Sequence, residues 1–209
     1  MSTAALHFSD SADDREELAR AEVYGLLASL FKAPPVPDLY QGLRVAVTEA
    51  PAPGAFLESS WSAVVAATRR LTLAQIDDEY VALFGGVGKA EVFLYGSYFA
   101  AGHLNEKPLV DLRHDLAALG LERPPQVLET EDHVASLCEV MRYLIAGDDV
   151  GVSNLAAQKR FFDRHLRGWN EALWDAIVAH PRADFYAAVA GFARDFCSVE
   201  AQAFDLLDS

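Results

Sequence analysis

The stretch Thr130-Glu-Asp-His-Val-Ala-Ser-Leu-Cys-Glu-Val-Met-Arg-Tyr-Leu-Ile-Ala146 decides the fold class. Val134, Leu137, Cys138, Met141, Leu144 and Ile145 recur at intervals of three and four, the period that gathers side chains on one face of a helix. Glu129, Glu131 and Asp132 stand at its start, where the free N–H groups and the dipole of a helix favour carboxylates. Gly147-Asp-Asp-Val-Gly151 ends it. The spacing predicts a helix over 130–146 in which Asp132, Ser136, Glu139 and Tyr143 form one polar line. His133 falls where that line meets the apolar stripe, a position in which a lone histidine is ordinarily a hydrogen-bonded core residue.

The same period extends in both directions. Ala19, Val23, Leu26, Leu27 and Leu30 share one stripe across 14–31, which Ala33-Pro-Pro-Val-Pro37 stops because proline offers no donor and restricts its predecessor. Shorter helices are expected over 38–48 and 55–70, around Pro51-Ala-Pro-Gly54. Thr72-x-x-Gln75 reads as a capping box in front of Leu73, Ile76, Tyr80, Leu83 and Phe84. Residues 85–104, rich in glycine and aromatics, are the least regular part, a hinge-like segment between two helical halves. Helix returns from Glu106 or Pro108 to Leu119, and 120–126 is a loop. Phe162, Leu166, Trp169, Leu173 and Ile177 mark one closing helix; Phe185, Val189, Phe192, Phe196 and Val199 mark another, with Pro181 between them. Nothing alternates with period two over a strand's length. The expected fold is all-α, one helical bundle over 1–209 with about eight to ten helices.

Charge narrows the partners. Seventeen basic and 31 acidic residues in 209 leave a net −14, a field that repels nucleic acid and anionic lipid and favours a cationic peptide. No apolar run approaches the ~20 residues needed to span a bilayer, and the first residues, MSTAALHFSDSADD, do not read as a secretory leader. Cys138 and Cys197 both fall in apolar helical patterns, as buried free thiols of a reducing compartment do. A cytoplasmic location without stable membrane insertion is the expectation.

Catalytic signatures are missing. Gly85-Gly-Val-Gly-Lys89 is not a phosphate loop, since Leu83 and Ala90 occupy the positions of the required glycine and hydroxyl residue. H-E-x-x-H, C-x-x-C, G-x-S-x-G and G-x-G-x-x-G do not occur. Asp111, His114 and Asp115 share a helical face and, with His103, form the alternative: a metal-dependent all-helical hydrolase drawing further ligands from other helices. Against that stands a solvated face with i,i+4 pairing. Trp61, Trp169 and Trp174 lie in helical patterns as core residues.

Tyr80-Val-Ala-Leu-Phe84-Gly-Gly86, Tyr95-Gly-Ser97 and Glu129-x-x-Asp132-His133-x5-Glu139-x-Met141 together resemble the TorD/DmsD family of molybdoenzyme maturation chaperones. Phe161-Phe-x-x-His165-Leu166-x-x-Trp169, Phe185-Tyr186 and Phe192 are similar to that family's closing helices. The resemblance implies a TorD-like bundle with no enzymatic activity and no cofactor. Its implied partners are the twin-arginine signal peptide and the apo-form of a molybdopterin-dependent oxidoreductase of formate dehydrogenase or DMSO/TMAO reductase type, bound by a monomer or homodimer. Carried over, the peptide-binding residues are Tyr80, Leu83, Phe84, Tyr95, Gly96, Ser97, Asp132 and His133, with Glu129 and Glu139 as further acids. Phe93-Leu94 stands where the family has prolines, and Val87 where another is usual, which makes the loop more apolar and less rigid.

A twin-arginine leader presents two guanidinium groups and then an apolar stretch able to become helical, so its groove needs carboxylates beside hydrophobic wall. Glu129, Glu131, Asp132 and Glu139 are the expected acids, and Leu83, Phe84, Phe93 and Tyr95 the expected wall. Beside Asp132 and Glu129, His133 is expected to favour its charged form.

Overall fold

The computed structural model describes residues 12–48, 57–85, 90–102, 104 and 107–207. These form ten helices: α1 (Ala12–Lys32), α2 (Pro37–Val45), α3 (Glu58–Arg70), α4 (Leu73–Phe84), α5 (Gly96–Ala101), α6 (Lys107–Ala118), α7 (Val134–Ala146), α8 (Leu155–His165), α9 (Asn170–Val178) and α10 (Phe185–Leu206). No strand occurs among them; a single β-bridge joins Tyr95 to His133. None of these helices is long and apolar enough to cross a membrane.

Local chemistry sets the boundaries. Pro37 opens α2, where its missing donor is of no consequence. The capping box before α4 is formed: Thr72 Oγ1 accepts the Gln75 N–H, and Gln75 Oε1 accepts the Thr72 N–H. Asn154 caps α8 by accepting the Ala157 N–H. The expected helix over 130–146 is shorter than its acids implied. Thr130 donates its hydroxyl to Asp132 Oδ1 at 2.6 Å and accepts the His133 N–H, a side-chain-supported turn that displaces helix for one turn. His133 is therefore the N-cap of α7, Nδ1 accepting the Ala135 N–H, and Asp132 leaves the expected polar line. The segment expected to be irregular contains α5; the Gly86–Lys89 part of the glycine-rich run lies outside the described residues.

The core runs through α1 to α4 and α6 to α10. Helix α10 supplies Phe185, Tyr186, Val189, Phe192 and Phe196, against which pack Tyr24 and Phe31 of α1 and Trp174 of α9. Trp169 and Trp174 are buried as expected, but Trp61 is only partly so, its ring against Phe192 and its N–H on the Val47 carbonyl. Cys138 and Cys197 are buried free thiols, and burial pushes Cys197 up to about 12. Arg20 and Tyr24 of α1 both donate to the buried Glu200 of α10, tying the long helices together.

The start of α10 is capped from another helix. Glu79, buried on α4, accepts the Asp184 and Tyr186 N–H groups on Oε1, both at 2.8 Å, and the Phe185 N–H on Oε2 at 3.0 Å. Asp184 cannot cap its own helix because its carboxylate pairs with Arg70. Glu79→Ala leaves three donors without acceptors and is expected to destabilise by about 3 kcal/mol in urea unfolding, whereas Glu79→Gln, which keeps one acceptor oxygen, loses less.

Candidate binding groove

The site begins with a clasp between two segments far apart in sequence. Leu94 and Tyr95, with Gly96 at the start of α5, run against 132–134, the Gly96 N–H on the Asp132 carbonyl (2.9 Å) and the Val134 N–H on the Leu94 carbonyl (2.8 Å). Asp132 locks it. Its side chain, 3% exposed, accepts the Ser97 N–H on Oδ2 at 2.9 Å and the Thr130 hydroxyl on Oδ1. Gly96 is required there, because a Cβ would stand 2.9 Å from Cε2 of Trp169. The clasp sets the Tyr95 ring edge-on to His133, centroids 5.0 Å apart.

Helix α1 lies antiparallel along α7: Ala28 and Lys32 flank the start of α7, Gly25 meets Arg142, and Leu18 and Ala21 flank Ala146 and Gly147. At the α7 N-terminal end this pair and the 121–131 connection enclose a cavity of about 370 Å³. Ala135, Ser136, Glu139, Val140 and Tyr143 of α7 form its floor, over about 12 Å of helix. Leu121, Pro124 and Val127 form the facing wall, and Lys32, Glu122, Arg123, Glu129 and Glu131 carry charge at its edge. Tyr80 adjoins this end. It donates to the Phe31 and Lys32 carbonyls that close α1, and burial, with Glu129 and Tyr95 nearby, pushes its hydroxyl up to about 12.

Tyr80, Tyr95, Glu129, Asp132 and His133 thus meet at one end of the groove, and Glu139 lies further along it. Phe84 is partly buried, packed on Phe31, Tyr80 and Tyr186. Leu83 is not wall: it is fully buried, and its carbonyl accepts the Glu91 and Val92 N–H groups. Gly96 and Ser97 are buried in the clasp, where with Asp132 they line a separate cavity of about 280 Å³. Phe93 packs on Tyr98.

The acids divide by what already holds them. Asp132 is buried and hydrogen-bonded, so it is no open landing place for an arginine. Glu131 sits between Arg113 and Arg123; burial works to raise its carboxyl, but their hydrogen bonds prevail and hold it below the usual value. Glu139 pairs with Arg142, both half in solvent. Glu122 and Glu129 are exposed and have no ion pair among the described residues.

His133 differs from the expectation. Burial outweighs the nearby Glu129 and Asp132 and lowers its pKa to about 4. The neutral ring also suits its cap role, which requires a lone pair on Nδ1.

The hydrolase alternative finds no support. Asp115 is engaged by Arg164 at 2.9 Å and His165 Nε2 at 2.7 Å, His114 is exposed, and His103 lies outside the described residues. No group of three potential metal ligands forms among the described residues.

The groove wall lies where the sequence predicts only a loop. Its signal is the run Leu121-Glu-Arg-Pro-Pro-Gln-Val-Leu-Glu129, apolar residues and acids around two prolines, in which Leu128 is 90% exposed.

An all-helical bundle with an acid-edged apolar groove is the class that fold and site define. A family model for the nitrate reductase delta subunit matches residues 50–175. The chain belongs to that family, the TorD-like group of redox enzyme maturation chaperones. A crystal structure of a protein described as a redox enzyme maturation protein from Archaeoglobus fulgidus has the same fold, with TM-score 0.57 and 17% identity over 94% of this chain and 99% of that one. No curated protein matches significantly.

Two outcomes follow for the clasp. Asp132→Ala strands the Ser97 N–H and the Thr130 hydroxyl and is expected to lower stability by about 2 kcal/mol in chemical denaturation, with Asp132→Asn intermediate. For His133 the unfolded chain binds a proton near pH 6.5 and the folded chain only near 4. Its contribution is therefore complete above 6.5 and is lost as pH falls toward 4. His133→Asn should flatten that part of the stability profile, measured by thermal melts from pH 4 to 7.

Proposed function

We propose that this protein is a cytoplasmic chaperone that binds the twin-arginine signal peptide, and part of the body, of an immature molybdopterin-dependent oxidoreductase and holds it until its cofactor is inserted. The client is of formate dehydrogenase or DMSO/TMAO reductase type, and the name of the matching family adds nitrate reductase to the clients to assay. One observation carries the reading: an apolar groove at whose edge Glu122 and Glu129 keep open carboxylates.

The chemistry of the ligand fits those two parts. A guanidinium fork matches a carboxylate in bidentate geometry, which an ammonium cannot reproduce. Exposed pairs contribute only about 0–1 kcal/mol each, so the acids set orientation and on-rate while Val140, Val127 and Leu121 supply most of the affinity. Tyr80, Phe84 and Tyr95 extend the surface at the end where the arginines lie. Asp132 and His133 act from beneath: Asp132 fixes the clasp, and neutral His133 lines the cavity without adding a cation that would repel the ligand. The net −14 draws a cationic leader toward the surface.

Calorimetry with a synthetic twin-arginine leader of a molybdoenzyme tests the reading. Glu129→Ala, at an exposed position, is expected to weaken binding up to about fivefold. Val140→Asp, which places a charge in the apolar floor, is expected to weaken it at least tenfold. A leader with both arginines changed to lysine should bind less tightly. Unchanged affinity in both protein variants would remove the groove from the account.

A further inference from the structure

Glu131 lines the cavity of the groove with its side chain only 12% exposed, and two arginines from different places hold its two oxygens. Arg113, on α6, sets Nε and Nη2 on Oε2, each at 2.9 Å, and takes no part in the cavity's lining. Arg123 is itself a lining residue and reaches Oε1 through Nε alone, at 3.2 Å. Its Nη1 turns away to donate to the Val127 carbonyl. The guanidinium fork, which matches a carboxylate with two parallel N–H groups, is thus split between two acceptors.

Four carboxylates, Glu122, Glu129, Glu131 and Glu139, line the cavity against two cations, Lys32 and Arg123. Three of those acids share with Arg123 the connection between α6 and α7, where like charges repel one another unless a cation lies among them. Arg123 supplies that cation to the empty groove. Its contact with Glu131 is single, a third exposed and at the long end of the hydrogen-bond range, which is the weak and exchangeable kind of ion pair.

We infer that Arg123 is a built-in stand-in for the ligand's arginine: it occupies Glu131 while the groove is empty and is displaced when a guanidinium of the leader takes that carboxylate. The inference rests on the proposed function and adds to it an internal competitor that sets the affinity. While Arg123 holds Oε1, Glu131 is closed to the ligand, and apparent affinity falls with the fraction of time it is held. Arg113 keeps the carboxylate in place throughout, because its hold on Oε2 does not involve Arg123. An incoming guanidinium can use its whole fork where Arg123 uses one N–H, so it wins the exchange; an ammonium offers a point contact and wins it less readily.

Titration calorimetry on the full chain, with a twin-arginine leader and with the same leader carrying glutamine at both arginines, tests the exchange. Arg123→Gln removes the charge and keeps an amide donor for the Val127 carbonyl. It is expected to bind the twin-arginine leader about two- to fivefold more tightly than wild type and the glutamine leader no differently. The same variant should lower the midpoint of thermal unfolding by up to about 4 °C, since the acids lose their internal cation. Adding Glu131→Gln to Arg123→Gln should remove the gain, whereas Glu131→Gln alone changes leader affinity by less than that. Weaker binding by Arg123→Gln would mean that Arg123 only shapes the wall. A gain shared by the glutamine leader would mean a loosened loop, and a gain that survives Glu131→Gln would mean a different acceptor. Each of these overturns the inference, as does unchanged affinity, and each leaves the proposed function standing because the leader still binds. A leader that binds neither wild type nor variant removes both.

Discussion

The buried carboxylate of Asp132 is the constraint on which the site depends. Taking a charge out of water is expensive unless hydrogen bonds replace the lost solvent, and here they come from two directions: the Ser97 N–H at the start of α5 and the Thr130 hydroxyl one turn before α7. Satisfying one side chain therefore fixes two segments 35 positions apart. Everything at the head of the groove follows from that fixation. Tyr95 faces His133, Gly96 can approach Trp169, and the chain reaches Val134 at the angle from which α7 lies down along α1. A surface aspartate binding an arginine would be free to reorient; this one is held at both oxygens.

The acid-rich composition looks different once the pairing is known. A net −14 invites the view that the whole face is a cation trap, yet most groove carboxylates are already answered: Glu131 by Arg113 and Arg123, Glu139 by Arg142, Asp132 by backbone and hydroxyl donors. What remains open at the first cavity is Glu122 and Glu129, with Lys32 and Arg123 beside them. On the proposed reading such carboxylates add encounter rate and register rather than depth of binding.

Helix content and core were legible in the sequence because both are repeating signals. The stripe Val134, Leu137, Cys138, Met141, Leu144 and Ile145 is buried throughout, and the Thr72–Gln75 box forms as its residue types require. What the period could not show was where capping chemistry interrupts it. Acids are welcome in the first turn of a helix, which suits Asp132, but an Asp two residues after a Thr can equally close a turn of its own, and contacts with a distant segment settle the choice. The charge of His133 is hidden from the sequence for a related reason. Sequence neighbours show which charges are near, while the dominant effect, burial, belongs to the tertiary fold. The family resemblance assigns Leu83 to the wall with Tyr80 and Phe84, and only packing against the core shows that its side chain faces inward. The groove's wall was hidden most completely, since the 121–129 run has no period and is shaped by its prolines.

A chaperone that must later surrender its ligand needs a site that recognises without trapping, and the arrangement here meets both demands physically. Large apolar contact alone would give slow dissociation, because residence time follows buried contact. Exposed carboxylates contribute little to depth of binding but much to encounter rate and register. Glu139 adds a further element: its pairing with the half-exposed Arg142 means that a ligand guanidinium arriving there exchanges one weak ion pair for another rather than filling an empty, unsolvated hole. The groove therefore resists neither entry nor exit by electrostatic means. On the proposed reading, selectivity is left to how well an apolar segment matches the α1/α7 surface, and that surface keeps its shape only while the Asp132 clasp holds α7 in its place.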